Sequence, residues 1–279
     1  MAIAHYIKEI GRGARGAKAL ERAQAADLMG QLLDGQLNDL EIGAFCVAMR
    51  IKGETVEEMC GFLDAVQARS QLLPATTHPV IVLPSYNGAR KLPVLTPLLA
   101  LLLAREGFAV LLHGMRTEAQ RVLASEVLQR LALPAWEQMQ PLAAGQVAHV
   151  ATEVLHPGLA RLLAVREVLG LRTPGHSVVK LLAPCAGPAV LVGSYTHPEY
   201  SVLMRDVLVA RQMTGLLSRG LEGEVVCDPR RQPRYDAVWQ GQAYCVAEQQ
   251  AGTLATVPGL PQAIDAQTTA DYTRAVLAG

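Results

Sequence analysis

The sequence predicts a two-part fold: a small N-terminal helical domain over residues 1–73, then an α/β domain over residues 78–279 with a largely parallel central sheet. Three observations predict it. Up to residue 73 apolar residues recur at helical spacing behind clear start signals. Pro74 to Pro79 then forms a linker. From Val80 onward short apolar runs alternate with helix-like stretches, the pattern of a parallel sheet with crossover helices.

In the first part, a helix is expected near Leu20 to Leu33. Asn38-Asp39-Leu40-Glu41 has the form of a capping box, after which Leu40, Ala44, Val47, Ala48 and Ile51 keep helical spacing as far as Gly53. Thr55-Val56-Glu57-Glu58 starts another helix, with Met59, Phe62, Leu63 and Val66 on one stripe that reads as core or dimer packing. In the second part, strands are expected at Val80–Leu83, Phe108–Leu112, Val147–Val150, Val190–Val192, Val225–Cys227 and Tyr244–Val246, with helices over 97–105, 117–131, 157–169 and 198–217.

Composition narrows the classes. The 279 residues are 51% apolar, so a large core is available, and aromatics at 4% leave that core to aliphatic side chains. The longest apolar-looking stretch, Leu92 to Ala104, is shorter than the roughly twenty residues a bilayer requires. The N-terminus lacks the order of a signal peptide, so a cytoplasmic protein is expected. The cysteines at 46, 60, 185, 227 and 245 are odd in number and widely spaced, which argues for buried free thiols over a disulfide framework or a zinc site. With 25 basic and 25 acidic residues the net charge is zero, so a polyanion site would need local segregation of charge.

Such segregation is visible. Residues 1–26 hold Lys8, Arg12, Arg15, Lys18 and Arg22 against Glu9 and Glu21, around the glycine-rich turn Gly11–Gly16. The loop Pro84-Ser85-Tyr86-Asn87-Gly88-Ala89-Arg90-Lys91 lies between the first strand and a helix, where α/β proteins bind anions through free backbone N–H groups. The second strand ends at Leu112-His113-Gly114-Met115-Arg116. Strand ends gather on one edge of a parallel sheet, so Arg90, Lys91, His113 and Arg116 are expected near one crevice, against a competing reading of scattered surface charges. Arg166 and Arg172 follow His156-Pro157 and suit a bidentate grip on a small acid or a role in helix capping. Glu222 and Glu224 are weak candidates for Mg²⁺. Spacing alone assembles no Ser-His-Asp or Cys-His arrangement, and no catalytic residue is assigned.

His113-Gly114-x-Arg116, His156-Pro157 and Arg166-x-x-Leu169-Gly170-x-Arg172-Thr173 together resemble the anthranilate phosphoribosyltransferase family, glycosyltransferase family 3. Within it, four stretches resemble the YbiB-type branch. They are Ile7-Lys8-Glu9-Ile10-Gly11-Arg12-Gly13, Arg50-Ile51-Lys52-Gly53-Glu54, Ser85–Lys91 and Ser194-Tyr195-Thr196-His197-Pro198-Glu199-Tyr200. The resemblance implies a nucleoside phosphorylase/phosphoribosyltransferase-like α/β domain and a homodimer formed through the helical domain. It also implies binding of DNA and RNA without sequence preference, with no resident cofactor.

The departures from the enzymes bear on activity. Their Gly-Thr-Gly-Gly-Asp diphosphate loop is replaced by Ser85-Tyr86-Asn87-Gly88-Ala89. Their Lys-His-Gly-Asn-Arg motif has become Leu112–Arg116, and their paired Asp-Glu metal ligands have become Glu222-Gly223-Glu224. The family also usually continues for at least one more helix, so a C-terminal truncation is expected.

Two functions are weighed. In one, Arg90, Lys91 and Arg116, with Arg12, Arg15 and Lys18, contact phosphates of a nucleic acid while Tyr86 stacks on a base and Asn87, Gly88 and His113 complete the site. Six such contacts predict a log–log salt slope of roughly −4 for single strands and −5 for duplex. In the alternative, the chain is a phosphoribosyltransferase using phosphoribosyl pyrophosphate and Mg²⁺ with an altered acceptor.

Overall fold

A computed structural model describes residues 3–279, the side chain of residue 14 excepted; the first two residues of the predicted 1–73 unit lie outside it. The helical part comprises α1 (Ala4–Ile10), α2 (Gly13–Gly16), α3 (Arg22–Leu33), α4 (Asp39–Lys52) and α5 (Val56–Arg69). Its start signals are chemical. Asn38 Oδ1 accepts the Glu41 N–H at 3.0 Å while Glu41 returns the bond to Asn38 N, and Thr55 with Glu58 forms the same reciprocal pair. Phe45 and Phe62 meet edge to face at 5.8 Å in the core between these helices.

Glu58 also ties three segments together. Its side chain is fully buried and accepts bonds from Leu20 N at 2.9 Å and from the Lys52 ammonium at 2.6 Å. Without the carboxylate, Lys52 would be left almost buried and unpaired.

The second part contains β1 (Val80–Pro84), α6 (Thr96–Arg105), β2 (Ala109–Gly114), α7 (Ala124–Arg130), β3 (Val147–Ala151), α8 (Thr152–Leu155), α9 (Pro157–Leu169) and α10 (Pro174–Val178). It continues with β4 (Ala189–Tyr195), α11 (Pro198–Ala210), β5 (Thr214–Arg219), β6 (Tyr235–Trp239), β7 (Gln242–Ala247) and α12 (Ala266–Ala278). The sheet order is β3-β2-β1-β4-β5-β6-β7. The first five strands are parallel, and β6 and β7 close the sheet as an antiparallel hairpin. Chain order reverses between β1 and β4, so the crevice beyond their C-terminal ends is the switch point at which such sheets bind ligands.

One apolar core runs from the helical part to one face of the sheet, and a second, including Leu83, Val110, Leu112, Val127 and Ala270, lies on the other face under α6, α7 and α12. The two parts are bracketed by Asp64 on α5, which pairs with Arg22 on α3 and with Arg211 at the end of α11. No helix among the described residues is long and apolar enough to cross a membrane.

Four sequence expectations are corrected. The helix expected over 117–131 begins only at Ala124, because Thr117, Arg121 and Val122 bond instead to the backbone of the 84–91 loop. The helix expected over 198–217 stops at Ala210, and Gln212 turns the chain at φ 53° into the strand β5. Val225–Cys227 is not a strand: Leu221 to Val226 closes into a turn, with Leu221 N bonded to Val226 O at 2.8 Å. Cys245 is exposed and Cys227 half-buried, although Cys46, Cys60 and Cys185 are buried as expected; all five thiols are free.

Replacing Glu58 by Ala is expected to cost about 3–5 kcal/mol, since it strands a buried lysine. The measurement is a urea midpoint that falls while the slope m stays constant; an unchanged midpoint would contradict this role.

Candidate functional site

The loop after β1 is built as an anion cradle, and the chain's own carboxylates fill it. Glu224 is buried. Its Oε1 accepts Asn87 N at 3.0 Å and Gly88 N at 2.8 Å, and its Oε2 accepts the Ser85 hydroxyl at 2.6 Å and the Thr96 hydroxyl at 2.9 Å. Glu222 Oε2 accepts Arg90 N at 2.8 Å and Lys91 N at 2.9 Å, while its other oxygen faces Arg90 Nε at 3.4 Å and an Arg121 nitrogen at 3.6 Å. The turn that delivers both has Glu222 at φ 54° and Gly223 at φ 92°. A non-glycine residue in that region is held there by its surroundings, here the Arg90, Lys91 and Arg121 contacts.

Glu222 and Glu224, weak candidates for Mg²⁺ in the sequence, are in this arrangement both engaged by the cradle instead. Every carboxylate oxygen faces a donor of the cradle, and the described residues contain no cluster of three or more metal-ligating side chains. As arranged, the donor set does not fit the ion.

Several other assignments also change. Tyr86 is buried with its hydroxyl 2.7 Å from His113 Nδ1 and accepting from the Thr152 hydroxyl at 3.1 Å, so its ring cannot stack on a base. Burial pushes its phenol pKa up. His113 is fully buried, with Nε2 bonded to Leu182 O, and burial lowers its pKa to about 4; it is a neutral framework residue and faces no phosphate. Gly114 lies so close to Ser85 O that a Cβ there would collide with it, which fixes how the two loops nest.

Asn87 and Gly88 remain in the cradle, but their N–H groups are occupied by Glu224. Arg116 braces its own loop through Ala119 O, Arg121 O and Glu126, and lies outside the crevice lining. Arg12 and Lys18 pair with Glu9, and with the exposed Arg15 they too lie outside that lining. His156 caps α9, accepting Gly158 N at 3.0 Å.

A cleft of about 840 Å³ opens beside the filled cradle, between α4–α5 and the C-terminal ends of β1 and β4. Six cationic side chains line it: Arg50, Arg90, Lys91, Arg121, Arg172 and Lys180. Three acids, Glu54, Glu199 and Glu222, oppose them. Charge is therefore segregated locally on a chain of zero net charge. The Arg90 side chain is 55% exposed and Lys91 is exposed, so both heads project from the cradle that their N–H groups complete. Arg172 donates to Asn87 Oδ1 at 3.2 Å, and its pKa is lowered by burial and then by Arg166 and Arg121. Arg166 pairs with Glu118 at 3.2 Å and lies outside the lining, so only Arg172 of the two predicted arginines lines the cleft.

Sequence reasoning missed Arg50, Arg121 and Lys180 as cleft residues. Lys180 had a signal: it is the single charge within Val178-Val179-Lys180-Leu181-Leu182. Burial lowers its pKa to about 8.

A helical bundle joined to a parallel sheet with an anion loop at its switch point is the architecture of a glycosyltransferase of the phosphoribosyl type. Residues 4–70 match the helical bundle domain of the glycosyl transferase family. The chain is 37% identical over 280 residues to the uncharacterized protein YbiB of Escherichia coli, covering 98% of this chain and 87% of YbiB. It is 30% identical over 271 residues to the anthranilate phosphoribosyltransferase of Leifsonia xyli, covering 93% of this chain and 76% of that enzyme. In fold it matches the anthranilate phosphoribosyltransferase of Thermus thermophilus with a TM-score of 0.73 at 23% identity, over 97% of this chain and 82% of the other. The chain belongs to glycosyltransferase family 3, with the anthranilate phosphoribosyltransferases and YbiB among its relatives.

The buried histidines set an acid limit. His113 and His149 are lowered to about 4 and His176 to about 3, in each case first by burial. Their folded values lie below the unfolded value near 6.5, so the unfolded chain binds more protons in this window. Stability is full above about pH 6.5 and declines as the pH falls towards about 4. Urea midpoints recorded from about pH 7 to pH 5 should fall accordingly, and His113→Gln should lessen the fall.

Proposed function

We propose that this protein is a homodimer that binds single-stranded and duplex nucleic acid, DNA or RNA, through phosphate contacts and without reading sequence. The observation that carries this reading is the self-filled cradle. Backbone N–H groups suited to a compact diphosphate are occupied by Glu222 and Glu224, while Arg90, Lys91, Arg50, Arg172 and Lys180 remain around the cleft to meet a polyanion by charge. Tyr200 also lines the cleft and, half-buried there, offers ring surface to bases, a role that Tyr86 is too buried to take. The dimer reading is supported by α4. Leu40, Val47 and Ile51, at 82%, 38% and 59% exposure, form an apolar stripe on its outer face, opposite the buried Ile42, Phe45, Cys46 and Met49.

A second reading is favoured by the resemblance to anthranilate phosphoribosyltransferases and by Arg172 at the cleft: transfer of a phosphoribosyl group with Mg²⁺. It would require the turn at Glu222–Glu224 to leave the cradle and free its oxygens for a metal.

Five phosphate contacts predict a log–log salt slope of about −3.5 for single strands, measured by fluorescence anisotropy between 50 and 200 mM salt as order-of-magnitude bounds, and Arg90→Ala with Lys91→Ala should reduce it by about 1.4. Affinity indifferent to salt, together with calorimetric binding of phosphoribosyl pyrophosphate and Mg²⁺, would replace this reading by the second. For the dimer, Leu40→Asp with Val47→Asp should yield monomers in light scattering, with the helical content retained.

A further inference from the structure

His176 and Lys180 stand four residues apart, on α10 and the turn that follows it, and both line the cleft. His176 is 6% exposed, and its Nδ1 accepts Thr173 N at 3.1 Å. That bond assigns the ring proton to Nε2, which is buried without a partner. A buried N–H donor of this kind is destabilising unless a ligand or water answers it.

Lys180 is similarly underused. Among the described residues its ammonium makes one long bond, 3.5 Å to Ser194 O, and no ion pair. Gly223 brings the neighbouring groups together: a Cβ there would collide with the Asn87 amide nitrogen and lie 3.1 Å from Lys180 Nζ. Asn87 in turn accepts from Arg172. Arg172 and Lys180 therefore flank one amide, with His176 on the same wall.

We propose that Arg172, His176 and Lys180 form a subsite for a phosphomonoester, either the terminal phosphate of a strand or a small phosphorylated metabolite. Two cations without an ion pair among the described residues and one neutral donor match the charge of about −1.5 to −2 and the three acceptor oxygens of that group better than the single charge of a carboxylate or phosphodiester. Glu224, the carboxylate that acts on Lys180, is already saturated by the cradle, and Glu118, which acts on Arg172, pairs with Arg121 and Arg166, so neither takes the place of the ligand. Glu54 and Glu199 also line the cleft, and among the described residues neither forms an ion pair with Arg172 or Lys180. The strand-end version rests on the nucleic-acid reading; the metabolite version does not.

The test uses the full chain and inorganic phosphate as the probe. Calorimetry should show phosphate binding that weakens at least tenfold in Lys180→Met and stays unchanged in Arg116→Ala. In the unaltered protein, phosphate should slow acylation of Lys180, read by peptide mass spectrometry; this arm decides if the variant does not fold. Single strands with and without a 5′-phosphate distinguish the sources. Tighter binding of the phosphorylated strand, lost in Lys180→Met, assigns the strand end. Equal binding of both strands, or of neither, with phosphate binding and protection retained, assigns a small phosphomonoester. If phosphate binds the variant as well as the unaltered protein, or leaves acylation unaffected, the subsite is refuted. Salt-dependent strand binding can survive that result, and it can equally fail while the subsite stands.

Discussion

One carboxylate holds the C-terminal edge of the sheet in shape. Glu224 accepts from the backbone of Asn87 and Gly88, from Ser85 and from Thr96 at the start of α6. An ionised carboxylate has about four lone-pair sites and no donor, so this set satisfies it completely. Three segments distant in sequence meet there: the end of β1, the first turn of α6 and the turn after β5. The nesting of the 117–123 loop against Ala89 and the exposure of the Arg90 and Lys91 heads follow from a cradle already closed on itself.

Much of this fold was legible in the sequence because its signals are local. Asn38 with Glu41, and Thr55 with Glu58, announce helices through bonds spanning three residues, and Val80–Leu83 announces a buried strand through an unbroken apolar run. The misread segments are governed by distant partners. Nothing within 117–123 reveals that Thr117 will bond Tyr86 O or that Val122 will pair with Ala89. The end of α11 carries no glycine or proline, because Gln212 adopts the left-handed turn that those residues usually mark.

The site divides in the same way. Arg90, Lys91 and Arg172 were identifiable from position relative to strand and helix, and they line the cleft. Tyr86 and His113 have the residue types of a ligand site, but each is satisfied by the other and by groups more than sixty residues away, Thr152 and Leu182. The acidic pair at 222 and 224 resembled metal ligands because sequence shows a carboxylate without showing what it faces. Lys180 was hidden within an apolar run, where periodicity draws the eye to packing.

Glu222 gives the rim of the cradle a further property. Its carboxylate is tethered to the N–H groups of Arg90 and Lys91 by the turn itself, so it competes with any dissolved anion at an effective concentration of at least about millimolar. Free phosphate or diphosphate must displace a rival that never diffuses away. A ligand that engages several cleft cations at once gains from each of them and need not evict Glu222 at all. On the function proposed above, the turn would act as a valency filter, disfavouring single small anions at the loop while leaving the surrounding charges available to extended ones.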